Sequence, residues 1–141
     1  MSEKDKVLAI IKETAHHAHL ATIDGDQPRV RSVTPVVEDD MTIWVATHTG
    51  SRKMQQLKEN PKICFQFVEQ PAGEKEAIII GEAEIVNSME VKKRIWDLAP
   101  YDPSMFFPGG PESEDFSLLK IKIKNIEWRE SMQEEIKIYK P

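Results

Sequence analysis

Residues 46–61 constrain the fold of this chain most, because they predict a strand that passes through a tight turn into a short helix. Residues 41–46 are β-branched and aromatic, as strands prefer. Gly50 supplies the turn, and Ser51 is a good N-cap residue for the helix that follows. Pro61 ends that helix, because a proline disfavours the helical conformation of the residue before it.

The start of this helix predicts an anion site. It offers free backbone N–H groups, the positive end of the helix dipole, and the side chains of Ser51, Arg52 and Lys53. Phosphate is the natural occupant of such a set of donors. A solvated surface helix is the alternative, since charged side chains are mostly exposed. Arg31 favours the anion site, because it lies on a predicted neighbouring strand and adds a third cation.

Length and charge exclude several classes of protein. The 141 residues suit one core, and we expect a single domain over residues 1–141. No apolar run approaches the ~20 residues of a membrane span, and residues 1–6 are charged with mixed sign, unlike a signal peptide. A net charge of −5 without a long basic block argues against nucleic acid as the main partner. We therefore expect neither a membrane nor a nucleic-acid partner.

The cysteine and the histidines carry weaker signals. Cys64 is the only cysteine, so no internal disulfide is possible, and we expect a protein of the reducing cytoplasm. The apolar strand around Cys64 predicts a buried, unreactive thiol. His16, His17 and His19 follow the first predicted helix, but only the first and last of them have a helical spacing that suits metal ligands. Histidines at a helix C-terminus also complement the dipole, so we predict no metal.

Periodicity along the rest of the chain predicts six or seven strands in meander order with two or three helices. The predicted elements are a helix over residues 6–17, strands at 19–23, 29–37, 41–46, 62–68, 77–86, 116–128 and 135–139, and a helix after Ser88, with a proline- and glycine-rich loop at 99–114. Short antiparallel connections around one core indicate a mainly β fold with peripheral helices, closed or half-closed as a barrel.

Two features of this layout bear on the site. The strand that carries Arg31 and the strand before Ser51 are predicted hairpin partners, since only a short polar turn separates them. Met105, Phe106 and Phe107 are too apolar for an idle loop, so we expect them to cover a core edge or a partner subunit. For the same reason we expect a stable dimer.

Five segments, taken in order, resemble the pyridoxamine 5'-phosphate oxidase-like, FMN-binding split-barrel proteins. They are His19-Leu20-Ala21-Thr22-Ile23, Gln27-Pro28-Arg29-Val30-Arg31, Ile43-Trp44-Val45-Ala46-Thr47, Gly50-Ser51-Arg52-Lys53 with Leu57 and Asn60-Pro61, and Ile80-Gly81-Glu82-Ala83. The resemblance covers about residues 5–130. Its sharpest part is the segment from Gly50 to Pro61, at a fixed distance after Arg31.

The resemblance implies a homodimer of six-stranded antiparallel split β-barrels, with two FMN sites at the subunit interface. Carried over by position, Arg31, Arg52 and Lys53 are ligands of the FMN phosphate. The remaining implied contacts are Ser51 at the helix start, Ser32, Val33 and Thr34 along the isoalloxazine, and Thr47.

Several positions depart from the oxidases themselves. A lysine of their pattern is Val36 here, a tyrosine is Ala46, and a glutamine that reaches the partner's flavin corresponds to Glu76. The C-terminal tryptophan and arginine-rich segment of the oxidases has no counterpart before Pro141. The chain is therefore more similar to short, general-stress-protein-like flavoproteins, and we do not expect pyridoxamine phosphate oxidation.

The expected function is that of an FMN-dependent oxidoreductase acting on a small molecule. We expect FMN rather than FAD, because the cations suit one terminal phosphate and no dinucleotide-binding glycine turn is present. The cofactor would carry the chemistry, since no Ser-His-Asp or Cys-His constellation is visible. The alternative is a non-catalytic flavin- or haem-binding stress protein, in which His16, His17, His19 or His48 is an axial ligand.

Overall fold

The computed structural model describes residues 1–141. Its helices are α1 (Glu3–Thr14), α2 (Arg52–Glu59) and α3 (Met89–Leu98), and its strands are β1 (Ala18–Asp24), β2 (Gln27–Val33), β3 (Val36–Val37), β4 (Ile43–His48), β5 (Lys62–Val68), β6 (Glu76–Ile85), β7 (Phe116–Arg129) and β8 (Lys137–Tyr139). Short 3-10 turns lie at Ala15–His17 and Pro103–Met105. The helices are all too short or too polar to span a membrane.

The eight strands form one antiparallel sheet in the order β2-β1-β5-β6-β7-β4-β3, with β8 added to β7. The two ends of this order, β2 and β3, are consecutive in the chain, so the short link between Val33 and Val36 joins the two edges of the sheet. The sheet therefore curves into a half-barrel, which is the predicted split-barrel fold, and the link between β2 and β3 spans its open side. The strand count exceeds six because Pro35, which has no N–H to donate, interrupts the second predicted strand, and because β8 forms.

The predicted pairing of the Arg31 strand with the strand before Ser51 holds only for the last two residues of the predicted strand, Val36 and Val37, and is wrong for Arg31 itself. Arg31 lies opposite Leu20 on β1, whereas β4 pairs with β7 and with the two residues of β3. The pairing of β2 with β1 ends at Val33, before Pro35, and the chain pairs with β4 only from Val36 onward. Arg31 must therefore reach the start of α2 from across β1.

The main core lies between the sheet and α1. Leu20, Phe65 and Ile79 are fully buried on β1, β5 and β6, and they follow the period of two that a strand with one inward face requires. Val7 and Ile11 of α1 belong to the same cluster. Burial of each such side chain contributes about 1.5–3 kcal/mol, so this cluster fixes the sheet on which the site is built.

Cys64 is half-buried rather than buried, which corrects the sequence prediction. The inward residues of β5 are its neighbours Ile63 and Phe65, so the thiol lies on the outer face of the sheet. Burial, and to a smaller extent the nearby carboxylate of Glu127, raises the pKa of this thiol. A raised pKa keeps the sulfur protonated, in agreement with an unreactive side chain.

A bulge shifts the alternation of β7. Up to Ile123, the residues of β7 follow the predicted alternation of apolar and lysine side chains. The register between β6 and β7 then shifts next to Gly81, and in β7 beyond Ile123 the buried residues are Ile126 and Trp128. A Cβ atom on Gly81 would lie 2.1 Å from the carbonyl oxygen of Lys122, so the close approach of the two strands requires glycine.

A second cluster, which includes Trp44, Ile95 and Phe116, lies between α3 and the β4–β7 pair. The loop after α3 folds onto this cluster through Phe107, which is 3% exposed, whereas Phe106 is 54% exposed. Phe107 thus covers a core edge, as the sequence predicts for this apolar loop. Its neighbour remains available to a ligand or a partner.

Candidate functional site

The start of α2 has the predicted geometry. Ser51 is the N-cap, and its Oγ accepts a hydrogen bond of 3.3 Å from the backbone N–H of Met54. The same hydroxyl is 3.0 Å from Thr47 Oγ1 at the end of β4. Met54 and Leu57 are buried in the main core. The cap and this packing together fix the direction in which Arg52 leaves the first turn.

Arg31 reaches α2 through a buried hydrogen-bond network. Its Nη1 donates to the Leu20 carbonyl oxygen at 3.1 Å and to Thr22 Oγ1 at 2.8 Å, and its Nη2 donates to Gln56 Oε1 at 3.0 Å. Thr22 donates to the same Gln56 oxygen at 2.5 Å. Because Thr22 and Gln56 are both buried, they hold the guanidinium firmly although β2 and β4 are not neighbours.

Neither Thr22 nor Gln56 was predicted as a site residue. The sequence does contain one signal for Gln56: it lies between the apolar positions Met54 and Leu57, on the side of α2 that faces the core. A polar side chain in such a place needs a buried partner. The identity of that partner depends on strand register, which the local sequence does not reveal.

The three predicted cations have no carboxylate partner. Arg31, Arg52 and Lys53 are absent from all the ion pairs of the molecule. Burial, and then the charge of Arg52, lowers the pKa of Arg31; burial, and then the charge of Arg31, lowers the pKa of Lys53. Like charges that are partly buried and uncompensated repel one another, and a bound anion removes this cost. The donor set fits a phosphate.

A cleft of about 550 Å³ opens beside the cations. Its lining includes five of the eight predicted site residues: Ser32, Val33, Thr34, Thr47 and Lys53. The other three, Arg31, Ser51 and Arg52, lie outside the lining. Larger depressions of about 680 Å³ and about 650 Å³ lie elsewhere, but neither combines a helix start with aromatic side chains.

The loop after α3 forms an aromatic wall on the cleft, made of Tyr101, Phe106 and Phe107. The ring of Tyr101 meets the edge of Phe106 with 5.7 Å between centroids. Burial raises the pKa of the Tyr101 phenol, which therefore stays protonated. A slot between an aromatic wall and a strand suits a flat ring system.

His48 and Asp115 form a pair that the sequence did not predict. His48 Nδ1 is 2.7 Å from Asp115 Oδ2, and the histidine lines the cleft. Asp115 precedes β7, whose first residue, Phe116, lies opposite His48 in the β4–β7 ladder. The pair thus results from a register between residues 67 positions apart in the chain.

The other histidines occupy different places. His16 lines the cleft, whereas His17 lies on a separate, smaller depression that His16 shares. His19 is half-buried on β1, and its Nδ1 atom has no hydrogen-bond partner. Of the four proposed axial ligands, the cleft therefore brings together only His16 and His48.

Comparison with known proteins gives a family and two relatives. The family model described as pyridoxamine 5'-phosphate oxidase matches residues 4–129. General stress protein 26 of Bacillus subtilis (strain 168) is 31% identical over 97 residues, which are 66% of each chain. Pyridoxine/pyridoxamine 5'-phosphate oxidase of Yersinia pestis bv. Antiqua (strain Angola) is 39% identical over 75 residues, 52% of this chain and 34% of the oxidase. The chain thus matches less than two thirds of the stress protein and about a third of the oxidase.

Two solved structures share the fold. General Stress Protein 26 from Bacillus anthracis str. Sterne matches with a TM-score of 0.80 over 99% of this chain and 100% of that chain, at 18% identity. A heme binding protein from Mycobacterium smegmatis matches with a TM-score of 0.78 over 99% of this chain and 59% of that chain, at 14% identity. At such identities the likeness shows the fold alone.

Proposed function

The chain belongs to the pyridoxamine 5'-phosphate oxidase family of split-barrel proteins, and on this premise we propose that it binds FMN and acts as an oxidoreductase on a small molecule. One observation carries the proposal. Three cations without a carboxylate partner meet at the start of α2, beside a cleft with an aromatic wall.

The cation cluster, which we define as Arg31, Arg52 and Lys53, would hold the phosphate. A phosphate monoester carries about two negative charges near neutral pH, so it would offset most of the charge of the cluster. Arg31 is already held by Gln56 and contributes mainly through its field, whereas Arg52 and Lys53 are free to donate directly. One cluster suits one terminal phosphate and hence FMN rather than FAD.

The flavin ring would lie in the cleft along the end of β2. A volume of about 550 Å³ falls within the range of about 300–1,000 Å³ that is common for small-molecule sites. Ser32, Val33 and Thr34 would border the ring on one side, with Thr47 beside its chain. When bound, the flavin supplies reversible two-electron chemistry, and the protein supplies orientation and electrostatics.

Equilibrium titration of the flavin-free protein with FMN, riboflavin and FAD tests this proposal. We expect FMN to bind most tightly, because riboflavin lacks the phosphate and FAD must accommodate an additional nucleotide. Equal affinity for FMN and riboflavin would contradict a phosphate site. The absence of binding to all three flavins would contradict the proposed function as a whole.

We also propose that a second copy of the chain covers the outer face of the sheet and completes the site. Val30, Ala21, Cys64 and Ile80 lie side by side in register across β2, β1, β5 and β6. Val30 is 67% exposed and the other three are half-buried. An apolar row across four strands is unfavourable in water, and a twofold dimer would bury it. We expect light scattering to give the mass of a dimer, and an Ile80→Lys variant to give that of a monomer.

Haem binding without catalysis is the second candidate. Its support is that His16 and His48 line the cleft, in a fold shared with the heme binding protein named above. It is the weaker candidate, because the cation cluster suits a phosphate and haem has none: its propionates are carboxylates. The contact of Asp115 with Nδ1 of His48 leaves Nε2 free and is compatible with either candidate. Titration with hemin and with FMN in competition would separate the two candidates.

A further inference from the structure

We propose that His48, held by Asp115, is the proton donor to a planar conjugated carbonyl substrate that binds against the aromatic wall. This inference rests on the proposed function, because the reduction takes its electrons from a reduced flavin bound in the same cleft. Three features of the cleft support it: the fixed geometry of the His48–Asp115 pair, the position of this pair on the lining, and the chemical character of the surrounding side chains.

The position of the pair is fixed on both sides. The Thr49 backbone N–H donates to the Asp115 carbonyl oxygen at 2.8 Å, and the Asp115 backbone N–H donates to Ser113 Oγ at 3.2 Å. The buried ring of Phe107 packs against the imidazole with 4.6 Å between centroids. A carboxylate on Nδ1 orients the imidazole and leaves Nε2 as the nitrogen available to a ligand. The side chain of His48 is 50% exposed, so solvent can return a proton to it.

The lining of the cleft favours an uncharged, flat substrate. Lys53 is its only lysine or arginine, and in the proposed function this side chain serves the flavin phosphate. No second set of cations is available for a phosphate ester. What remains beside His48 is the aromatic wall, where Tyr101 and Phe106 offer faces and edges for ring stacking.

A quinone is the simplest substrate of this class. Its two-electron reduction to a hydroquinone needs one hydride, which supplies both electrons and one proton and which a bound reduced flavin would provide. The second proton passes from protonated His48 to a carbonyl oxygen, so the quinone gains two electrons and two protons in total. His48 is left neutral, and water reprotonates it. Asp115 is a positioning residue that stabilises the imidazolium and transfers no proton.

Two substitutions of His48 separate binding from proton transfer. His48→Gln places an amide nitrogen near the position of Nε2, so it keeps a hydrogen-bond donor but has no acidic proton. His48→Asn places its amide near Nδ1, so it keeps the partner of Asp115 but loses the group at Nε2. His17→Gln is the matched control, because His17 lies just outside the cleft.

The first readout is binding of 1-naphthol, a flat probe that cannot accept a hydride, measured by calorimetry on the flavin-loaded and the flavin-free protein. We expect His48→Gln to keep its affinity for the loaded protein and His48→Asn to weaken it about three- to tenfold, the value of one ordinary hydrogen bond. Unchanged affinity in His48→Asn would overturn the proposed contact.

The second readout is the single-turnover oxidation of the bound reduced flavin by menadione. Loss of a general acid should slow this step about 100-fold or more in both His48 variants, and His17→Gln should have no effect. Asp115→Asn should slow it about tenfold or more in the wild-type background, and not at all in His48→Gln, because the carboxylate acts through the imidazole. A wild-type rate in His48→Gln would overturn the proposal.

The dependence on pH provides a third readout. The wild-type rate should fall as pH rises, because a general acid acts only while it carries its proton, and this limb of the profile should be absent in His48→Gln. The other titratable groups that face the cleft or the pair are His16, Lys53, Tyr101 and Asp115. If His48→Gln keeps the same limb, one of those groups is the donor and the assignment to His48 is wrong.

Failure of the proposed function would look different. In that case wild-type protein would bind no flavin, whereas the present inference would fail with flavin binding intact. FMN affinity should change far less in the two His48 variants than in the Arg52→Ala, Lys53→Ala double variant, because His48 lies outside the cation cluster that would hold the phosphate. A large loss of FMN affinity in His48→Gln would show that this residue serves the cofactor, and would overturn its role toward the substrate.

Discussion

The two ends of the cleft are stabilised in different ways. At the cation cluster, Arg31 is tied to buried Thr22 and Gln56, and the start of α2 is capped and anchored in the main core. At the aromatic wall, one buried ring, Phe107, holds a loop whose neighbouring ring is largely exposed. A network of short hydrogen bonds resists displacement, whereas an exposed aromatic loop can adjust to its ligand. The molecule thus combines a rigid end, where we propose the cofactor phosphate, with an adaptable end, where we propose the substrate.

The largest effect is expected at the rigid end. In the Arg52→Ala, Lys53→Ala double variant, each lost charge-assisted hydrogen bond costs about 1.5–3 kcal/mol, which weakens FMN binding about ten- to a hundredfold per substitution. Riboflavin binding should not change, because riboflavin has no phosphate. Fluorescence titration measures both. Lys58→Ala, on the exposed last turn of α2, is the control and should leave both affinities unchanged.

At the adaptable end, substitutions of two adjacent residues should have very different effects on stability. Phe107→Ala removes a buried ring from the second cluster and should lower the free energy of unfolding by about 3–5 kcal/mol. Phe106→Ala removes an exposed ring and should change stability by less than about 0.5 kcal/mol, while it weakens 1-naphthol binding. Urea unfolding and calorimetry give the two values. Similar destabilisation by both changes would mean that the whole wall is structural.

A smaller effect is expected from the network behind Arg31. Gln56→Leu leaves the Arg31 guanidinium and the Thr22 hydroxyl without their shared acceptor, which should cost about 1–3 kcal/mol of stability. FMN affinity should fall as well, because the guanidinium loses its orientation. Gln55→Leu changes the same residue type on the exposed side of the helix and should have little effect. Equal stability of the two variants in urea would show that the network does not hold Arg31.

The smallest effect concerns pH. The pKa of Lys53 is lowered by burial and by Arg31, below the ordinary lysine value of 10.5. In the flavin-free protein the folded state therefore loses its Lys53 proton before the unfolded state does, so stability should rise with pH between the lowered pKa and 10.5. FMN affinity should fall over the same interval, because the phosphate loses a cation. Neither trend should appear in Lys53→Met, which urea unfolding and FMN titration across that interval would test.

Local sequence was sufficient to predict the rigid end in part. The helix start, its cap and two of the cations lie within four consecutive residues, Gly50 to Lys53, so their arrangement follows from one turn of chain. The sequence assigns Arg31 to the site for a wrong reason, since β2 does not pair with β4. It reaches the site through Gln56, and that contact depends on how α2 packs across β1.

The adaptable end is predicted only in part: the apolar triplet indicates a cover over a core edge, whereas the His48–Asp115 pair depends on register between distant strands. His48 and Asp115 meet only when β4 pairs with β7, and nothing near either residue specifies that pairing. Tyr101 lies in the loop whose apolar triplet predicts the cover of a core edge or a partner subunit. The cleft that Tyr101 faces is formed by distant parts of the chain, so it cannot be read from the loop alone. The short-range periodicity of apolar residues predicts individual helices and strands, whereas contacts between them can be predicted only when the order and register of the strands are known.

The split of the barrel has one further consequence, which concerns the free edge of β2. This strand pairs only with β1, so where Ser32, Val33 and Thr34 border the cleft, the peptide groups on its other edge have no strand partner. Peptide N–H and C=O groups are the same whatever side chain the residue carries. A ligand that is bound by these peptide groups would tolerate substitutions at positions 32 and 34, because only proline removes a backbone N–H. Alanine substitutions there would keep the peptide groups, so an alanine scan would not detect this part of the binding surface.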